Sequence, residues 1–186
     1  MSSSLRWTSA DLESMPDDGK RYEIIDGELA VSKQPHYEHQ VTCTLIATLL
    51  VNWDKKAKTG QALIAPGLIF AEDDDVAPDV IWISNGRLKN AIRDDGKLHL
   101  APELVVEVLS PSTERRDREA KLKLYSRRGV QEYWIADWRT RQVEVYRRDQ
   151  QALQLVATLF ETDVLQSPLL EGFSCKIVEL FENVSD

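Results

Sequence analysis

The chain has 186 residues, 42% apolar and 29% charged, with 8 Gly, 7 Pro and 2 Cys, so disorder, collagen and a disulfide scaffold are excluded. At about 150 residues per domain this length predicts one domain over residues 1–186, burying roughly 70% of the unfolded chain's surface. The net charge of −8 disfavours unspecific binding to a polyanion unless the basic residues cluster.

The longest nearly apolar stretch, Cys43 to Val51, is interrupted by Thr44 and Thr48 and falls well short of the roughly 20 residues of a bilayer span. A soluble protein with no membrane partner is expected. The opening Met-Ser-Ser-Ser-Leu-Arg-Trp has no basic segment followed by an apolar one, so no secretory signal is visible. Cys43 and Cys175 lie far apart, which fits reduced thiols in a cytoplasm, and neither cysteine shows a metal-ligand neighbour.

In chain order, Thr8 with Asp11 makes a capping-box pattern and predicts a short helix from Thr8 to Met15, stopped near Pro16. Tyr22 to Ile25 and Glu28 to Val31 flank Asp26-Gly27, a two-residue turn that needs positive φ at both positions, so a hairpin is predicted. His36 to Lys58 carries Val41, Leu45, Ile46, Leu49, Leu50 and Trp53 at helical spacing and should pack on a sheet. Gln61 to Phe70, Val80 to Ser84 and Leu104 to Leu109 read as strands, the last two buried on both faces.

Ser112 or Thr113 can cap a helix running to about Arg128, which Gly129 ends. Glu132 to Ala136 and Gln142 to Tyr146 alternate as strands, and Leu153 to Phe160 and Phe173 to Phe181 add a strand and a short helix. The order predicts an α/β fold, a mixed sheet flanked by helices.

Glu107 sits inside the apolar run Leu104 to Leu109, where a lone carboxylate would cost several kcal/mol to bury. It needs a cation, a metal ion or a proton. Asp79 follows Pro78 at the mouth of another strand. On the following helix, at about 100° per residue, Asp117, Lys121 and Tyr125 share an arc with Leu124, while Lys123 points roughly 200° away from Lys121. Lys121 therefore faces the sheet.

Two acids on adjacent strands with one inward lysine suit Mg²⁺ or Mn²⁺ and a phosphoryl transition state. A structural Glu107–Lys121 salt bridge is an equal reading of the same residues. The segment Glu114 to Arg128 has seven basic against three acidic residues, leaving −12 on the rest of the chain. Arg115, Arg116 and Arg118 at its start could contact phosphates or be a solvated face.

Together, Tyr22-Glu23-Ile24-Ile25-Asp26-Gly27-Glu28, Ala77-Pro78-Asp79, Leu104 to Thr113 through Glu107, Asp117 with Lys121 to Tyr125, and Gly129 to Ile135 resemble the Uma-two family of restriction-endonuclease-like proteins. That family lies within the PD-(D/E)XK nuclease superfamily. The resemblance runs from about Tyr22 to Tyr146. It implies a restriction-endonuclease-like αβββαβ core, with an N-terminal β-hairpin and extra C-terminal strands. It also implies that Asp79, Glu107 and the Val108 carbonyl hold Mg²⁺ or Mn²⁺ while a lysine positions the attacking water.

The place two residues after Glu107 is Leu109 rather than lysine, and the helical arc selects Lys121 instead. Glu23 and His39 match recurring family positions. On its own Glu23 reads as a cross-strand surface residue and His39 as a polar residue in the first helical turn. Asp117 is expected to orient Lys121, and Tyr125 to pack while its hydroxyl finds a partner. Asp73-Asp74-Asp75 reads as a solvated acidic loop able to attract a cation.

The function expected is metal-dependent hydrolysis of DNA phosphodiesters by an endonuclease-like homodimer. A catalytically inactive interaction module of the same fold, or a hydrolase of small phosphate esters, are the alternatives.

Overall fold

The computed structural model describes residues 5–184. The predicted N-terminal helix shrinks to one turn, α1 (Ser9–Leu12), with the Thr8 amide donating to the Asp11 carboxylate at 2.8 Å. Pro16 bars Met15 from helical geometry, so the turn cannot propagate. Strands β1 (Arg21–Ile25) and β2 (Glu28–Ser32) form the predicted hairpin, with φ of 52° at Asp26 and 75° at Gly27. Two positive φ values match the twist of the paired strands.

Helix α2 (Tyr37–Ala57) starts one residue after His36 and ends at Lys58 in the left-handed region. Its buried stripe is His39, Thr42, Cys43, Ile46, Ala47 and Leu50. The stretch read as one strand from Gln61 to Phe70 is two. Strand β3 (Gly60–Ile64) ends before Ala65, whose φ is 48°, and β4 (Leu68–Ala71) then joins a different sheet. Pro66 cannot donate to a ladder, and positive φ at Ala65 breaks extended geometry, so the chain turns out of the first sheet there.

The acidic run Asp73 to Asp75 also departs from expectation. Asp74 opens strand β5 (Asp74–Val76) and is buried. Its carboxylate takes the Asp26 amide, Arg127 and Arg128, the pairing that a buried charge requires. Strands β6 (Val80–Ser84) and β7 (Leu104–Val108) follow, separated by the unpredicted helix α3 (Asn85–Ala91).

The crossover helix has three consecutive parts: α4 (Glu114–Arg116), a π-helical turn (Asp117–Lys121) and α5 (Leu122–Arg128), with Gly129 at φ 89° as its stop. Strands β8 (Glu132–Asp137), β9 (Gln142–Asp149), β10 (Ala152–Leu159), β11 (Val164–Gln166) and β12 (Ser174–Lys176) and a 3₁₀ turn (Ile177–Phe181) complete the chain.

The main sheet has the order β10-β9-β8-β7-β6-β3, antiparallel except for the parallel pair β7 and β8 that the crossover helix joins. Elements α2, β3, β6, β7, the crossover helix and β8 are the expected αβββαβ core. The four strands β2-β1-β5-β4 make a second, smaller sheet.

Alternation along β7 divides the interior. Leu104, Val106 and Val108 pack with Cys43, Ile46, Leu50 and Trp134 on the α2 side, and Val105 and Leu109 pack with Leu124, Tyr125 and Tyr133 on the α5 side. Glu107 falls on the α5 side of this alternation, which is why its partners come from the crossover helix.

Candidate active site

Strands β6 and β7 pair antiparallel, and their last rung joins Val80 to Val106. Asp79 and Glu107 are the next residues of the two strands beyond that rung. The Val108 amide donates to Asp79 Oδ2 at 2.9 Å and ties the strand mouth to the residue after Glu107. The two acids line one cleft of about 380 Å³ with Arg21, His39, Arg116, Asp117 and Lys121.

Lys121 is buried, and its ammonium lies 2.9 Å from Glu107 Oε1, 3.0 Å from Glu23 Oε1 and 3.7 Å from Asp117 Oδ1. The Tyr125 hydroxyl donates to Glu107 Oε1 at 2.7 Å. The i, i+4, i+8 alignment of Asp117, Lys121 and Tyr125 survives in a helix that is not regular. The π turn, a feature frequent at functional sites, spans Asp117 to Lys121 and keeps both inward.

Glu23 is fully buried, correcting its reading as a cross-strand surface residue. It accepts the Ala77 amide at 3.0 Å, and its Oε2 lies 3.4 Å from Arg116. The reason is the smaller sheet, which packs β1 against the mouth of the main one so that an outward position of the hairpin becomes an inward one.

Asp79 has partners on both oxygens. Oδ1 lies 3.0 Å from Arg21 Nη1, and Oδ2 lies 3.1 Å from His39 Nε2. Cys43 Sγ is 3.5 Å from His39 Nδ1, so a cysteine assigned no metal-ligating neighbour stands beside one. The pair is spaced i, i+4 on α2, a signal readable in the sequence. Ligand atoms of His39, Cys43 and Asp79 lie within 4.8 Å of one another. Arg21 is the other residue that pattern reading passed over; as the first residue of a strand it gave no signal of its own.

The three arginines of the crossover helix part company. Arg116 lines the cleft. Arg115 is exposed and pairs with Glu119, while Arg118 is held by Glu114 and Glu144.

Burial and crowding set the charges. Burial pushes the Asp79 carboxyl up, but the His39 hydrogen bond, with Lys121 and Arg21, outweighs it and holds the group well below the usual carboxylate range. Burial lowers Lys121, yet Glu107, Glu23 and Asp117 raise it, so it stays charged. Burial raises Glu107; Lys121 opposes, but Asp79, Asp117 and Glu23 add like charge, and the carboxyl is pushed up to about 8. Asp117 is raised mainly by burial.

Lys121, Arg21 and Arg116 face four carboxylates, Glu23, Asp79, Glu107 and Asp117, which leaves one surplus negative charge when all are ionised. Glu23 Oε2 and Asp117 Oδ1 are buried without a hydrogen-bond donor. Surplus acid on hard oxygen donors fits Mg²⁺ or Mn²⁺. The oxygen donors that line the cleft therefore suit such an ion.

No helix among the described residues is long and apolar enough to cross a membrane. No curated protein matches the chain. The chain is similar to a crystal structure described as a "putative nuclease belonging to DUF820" from Anabaena variabilis, with a TM-score of 0.77 and 19% identity over 94% of this chain and 97% of that one. A type IIG restriction endonuclease, BpuSI, aligns at a TM-score of 0.42 and 16% identity over 81% of this chain and 16% of its own. The family model described as "Putative restriction endonuclease" (Uma2) matches residues 9–178, and the chain belongs to that family.

Proposed function

We propose that the protein is a metal-dependent endonuclease that hydrolyses DNA phosphodiesters at the cleft holding Asp79, Glu107 and Lys121. The observation that carries the reading is the presence of both acids in one cleft, with a buried ammonium 2.9 Å from Glu107. Asp79, Glu107 and the Val108 carbonyl would hold Mg²⁺ or Mn²⁺, which supplies Lewis-acid polarisation of the phosphoryl oxygen and an acidified water.

The chain's own side chains have distinct tasks. Lys121 places positive charge beside the scissile phosphate and the attacking oxygen, where a low-dielectric wall strengthens it. Glu23 and Asp117 fix Lys121 from two further directions, and the Tyr125 hydroxyl holds Glu107 in one rotamer. His39 orients Asp79 from α2. Arg116 in the cleft, and the exposed Arg115 before it in the chain, suit contacts with flanking phosphates; Arg118 is engaged by two carboxylates and contributes least. Cutting both strands favours a two-fold dimer, since a duplex is itself two-fold.

Asp79→Ala and Glu107→Ala should each abolish Mg²⁺- or Mn²⁺-dependent plasmid cleavage while far-UV circular dichroism stays that of the parent. Cleavage persisting in both variants would remove the assignment. The Lys121–Glu107 ion pair also suits a non-catalytic module of the same fold. Calorimetric titration with Mn²⁺ separates the two: the nuclease binds it and Asp79→Ala does not, whereas the module binds none. A small-phosphoester hydrolase would cleave nucleotides and leave plasmid intact.

A further inference from the structure

Asp79 is already fully engaged. The Val108 amide on Oδ2 belongs to β7, and His39 is buried on α2, so neither can withdraw without disturbing an element of the core. The partner on Oδ1 is different. Arg21 is the first residue of β1, its side chain is 32% exposed, and besides Asp79 it donates to the Ala77 carbonyl at 3.0 Å. It lines the same cleft as Arg116.

We propose that Arg21 gates the cation site: it holds Asp79 Oδ1 as a resident positive charge, and when a divalent ion takes that oxygen it turns within the cleft to bind a phosphodiester oxygen. The inference rests on the nuclease reading of the cleft. Arg21 reaches solvent while the Asp79 carboxylate is buried, so the pair opens only as another cation takes the oxygen. The planar fork of a guanidinium fits phosphate as well as carboxylate, and leaving Asp79 therefore costs Arg21 no class of partner.

Charge requires an occupant at that place. Four buried acids share the cleft with Lys121, Arg116 and Arg21, and withdrawing Arg21 alone would leave Asp79 Oδ1 without its cation in a low-dielectric pocket. Exchange against a divalent ion more than restores the balance. Arg21 released in this way remains beside the ion, and with Arg116 it offers a phosphate two guanidinium groups.

The test measures Mn²⁺ binding by calorimetry, and binding of a short DNA duplex in Ca²⁺ by fluorescence anisotropy, for the parent, Arg21→Gln and Arg21→Lys. The gate requires effects of opposite sign. Arg21→Gln should bind Mn²⁺ about five- to tenfold more tightly, because a competitor for Asp79 is gone, and bind duplex about tenfold more weakly. Arg21→Lys, which keeps the charge without the fork, should fall between the parent and Arg21→Gln on both measures.

An arginine that only braces Asp79 predicts weaker binding of both probes in Arg21→Gln, and that result, or unchanged Mn²⁺ affinity, overturns the gate. Failure of the nuclease reading looks different. In that case the parent binds no Mn²⁺, or Asp79→Ala binds it as well as the parent does, and the gate falls with it.

Discussion

Asp79 and Glu107 line one cleft, each one residue beyond the last rung of the β6–β7 ladder, and the amide of Val108 locks the first acid to the strand of the second at 2.9 Å. Val108 and His39 hold the Asp79 carboxylate, and Lys121 and Tyr125 hold that of Glu107. A cation bound by both acids would therefore meet carboxylates that are already positioned.

A cation that binds only the folded state is visible as stability. With Mn²⁺ at 100 times its dissociation constant, the folded state should gain about 2.7 kcal/mol, read as a rise in Tm that EDTA reverses. Asp79→Ala should show no rise. A rise of equal size in that variant would move the cation away from the strand pair, to a site that does not need Asp79.

Lys121 is the hub of three carboxylates, and Lys121→Met should destabilise the fold by about 3–5 kcal/mol at pH 7, because it strands buried acids without a partner. Protonation relieves that repulsion, so the penalty in urea unfolding should shrink at pH 5. A penalty independent of pH would mean that Lys121 contributes by packing its stem rather than by its charge.

Glu107 itself gives a signed pH dependence in EDTA. Its carboxyl is raised from 4.5 unfolded to about 8 folded by burial and by Asp79, Asp117 and Glu23 around it, against Lys121. The folded protein keeps a proton that the unfolded chain loses first, so this group's contribution is intact below about pH 4.5 and is lost as pH rises to about 8. Relative to the parent, Glu107→Gln should therefore gain stability across that window, on the order of a few kcal/mol, and level off above it. A flat difference between the two proteins from pH 4.5 to 8 would show that the carboxyl titrates normally.

Gly60 tests the sheet rather than the cleft. A Cβ there would stand 2.4 Å from the Ile83 carbonyl and 2.6 Å from the Trp82 ring. Backbone on one side and a packed indole on the other leave nothing free to give way. Gly60→Ala should cost about 1–3 kcal/mol in urea unfolding while leaving Mn²⁺ affinity unchanged.

Much of this molecule can be read from local rules. Asp26-Gly27 demanded positive φ at two consecutive positions, and the hairpin follows. The apolar spacing of α2 and the inward arc of Asp117, Lys121 and Tyr125 follow from the helical repeat, and Gly129 from the end of a helix. What misled pattern reading was long-range in each case. Glu23 looked superficial because hairpin alternation says nothing about which sheet will cover the hairpin. Asp74 looked solvated because Arg127 and Arg128, which neutralise it, come from a helix more than fifty residues away.

Periodicity, turn chemistry and caps are properties of a few neighbouring residues, and those the linear order determined: the elements, their succession, the acid stranded in β7 and the lysine turned toward it. Register between β6 and β7, the folding of the smaller sheet over the cleft, and the arrival of Arg21 and His39 on the two oxygens of Asp79 were decided only in three dimensions. They depend on which distant surfaces bury together, and burial is a property of the assembled core, since no short segment can exclude water from itself.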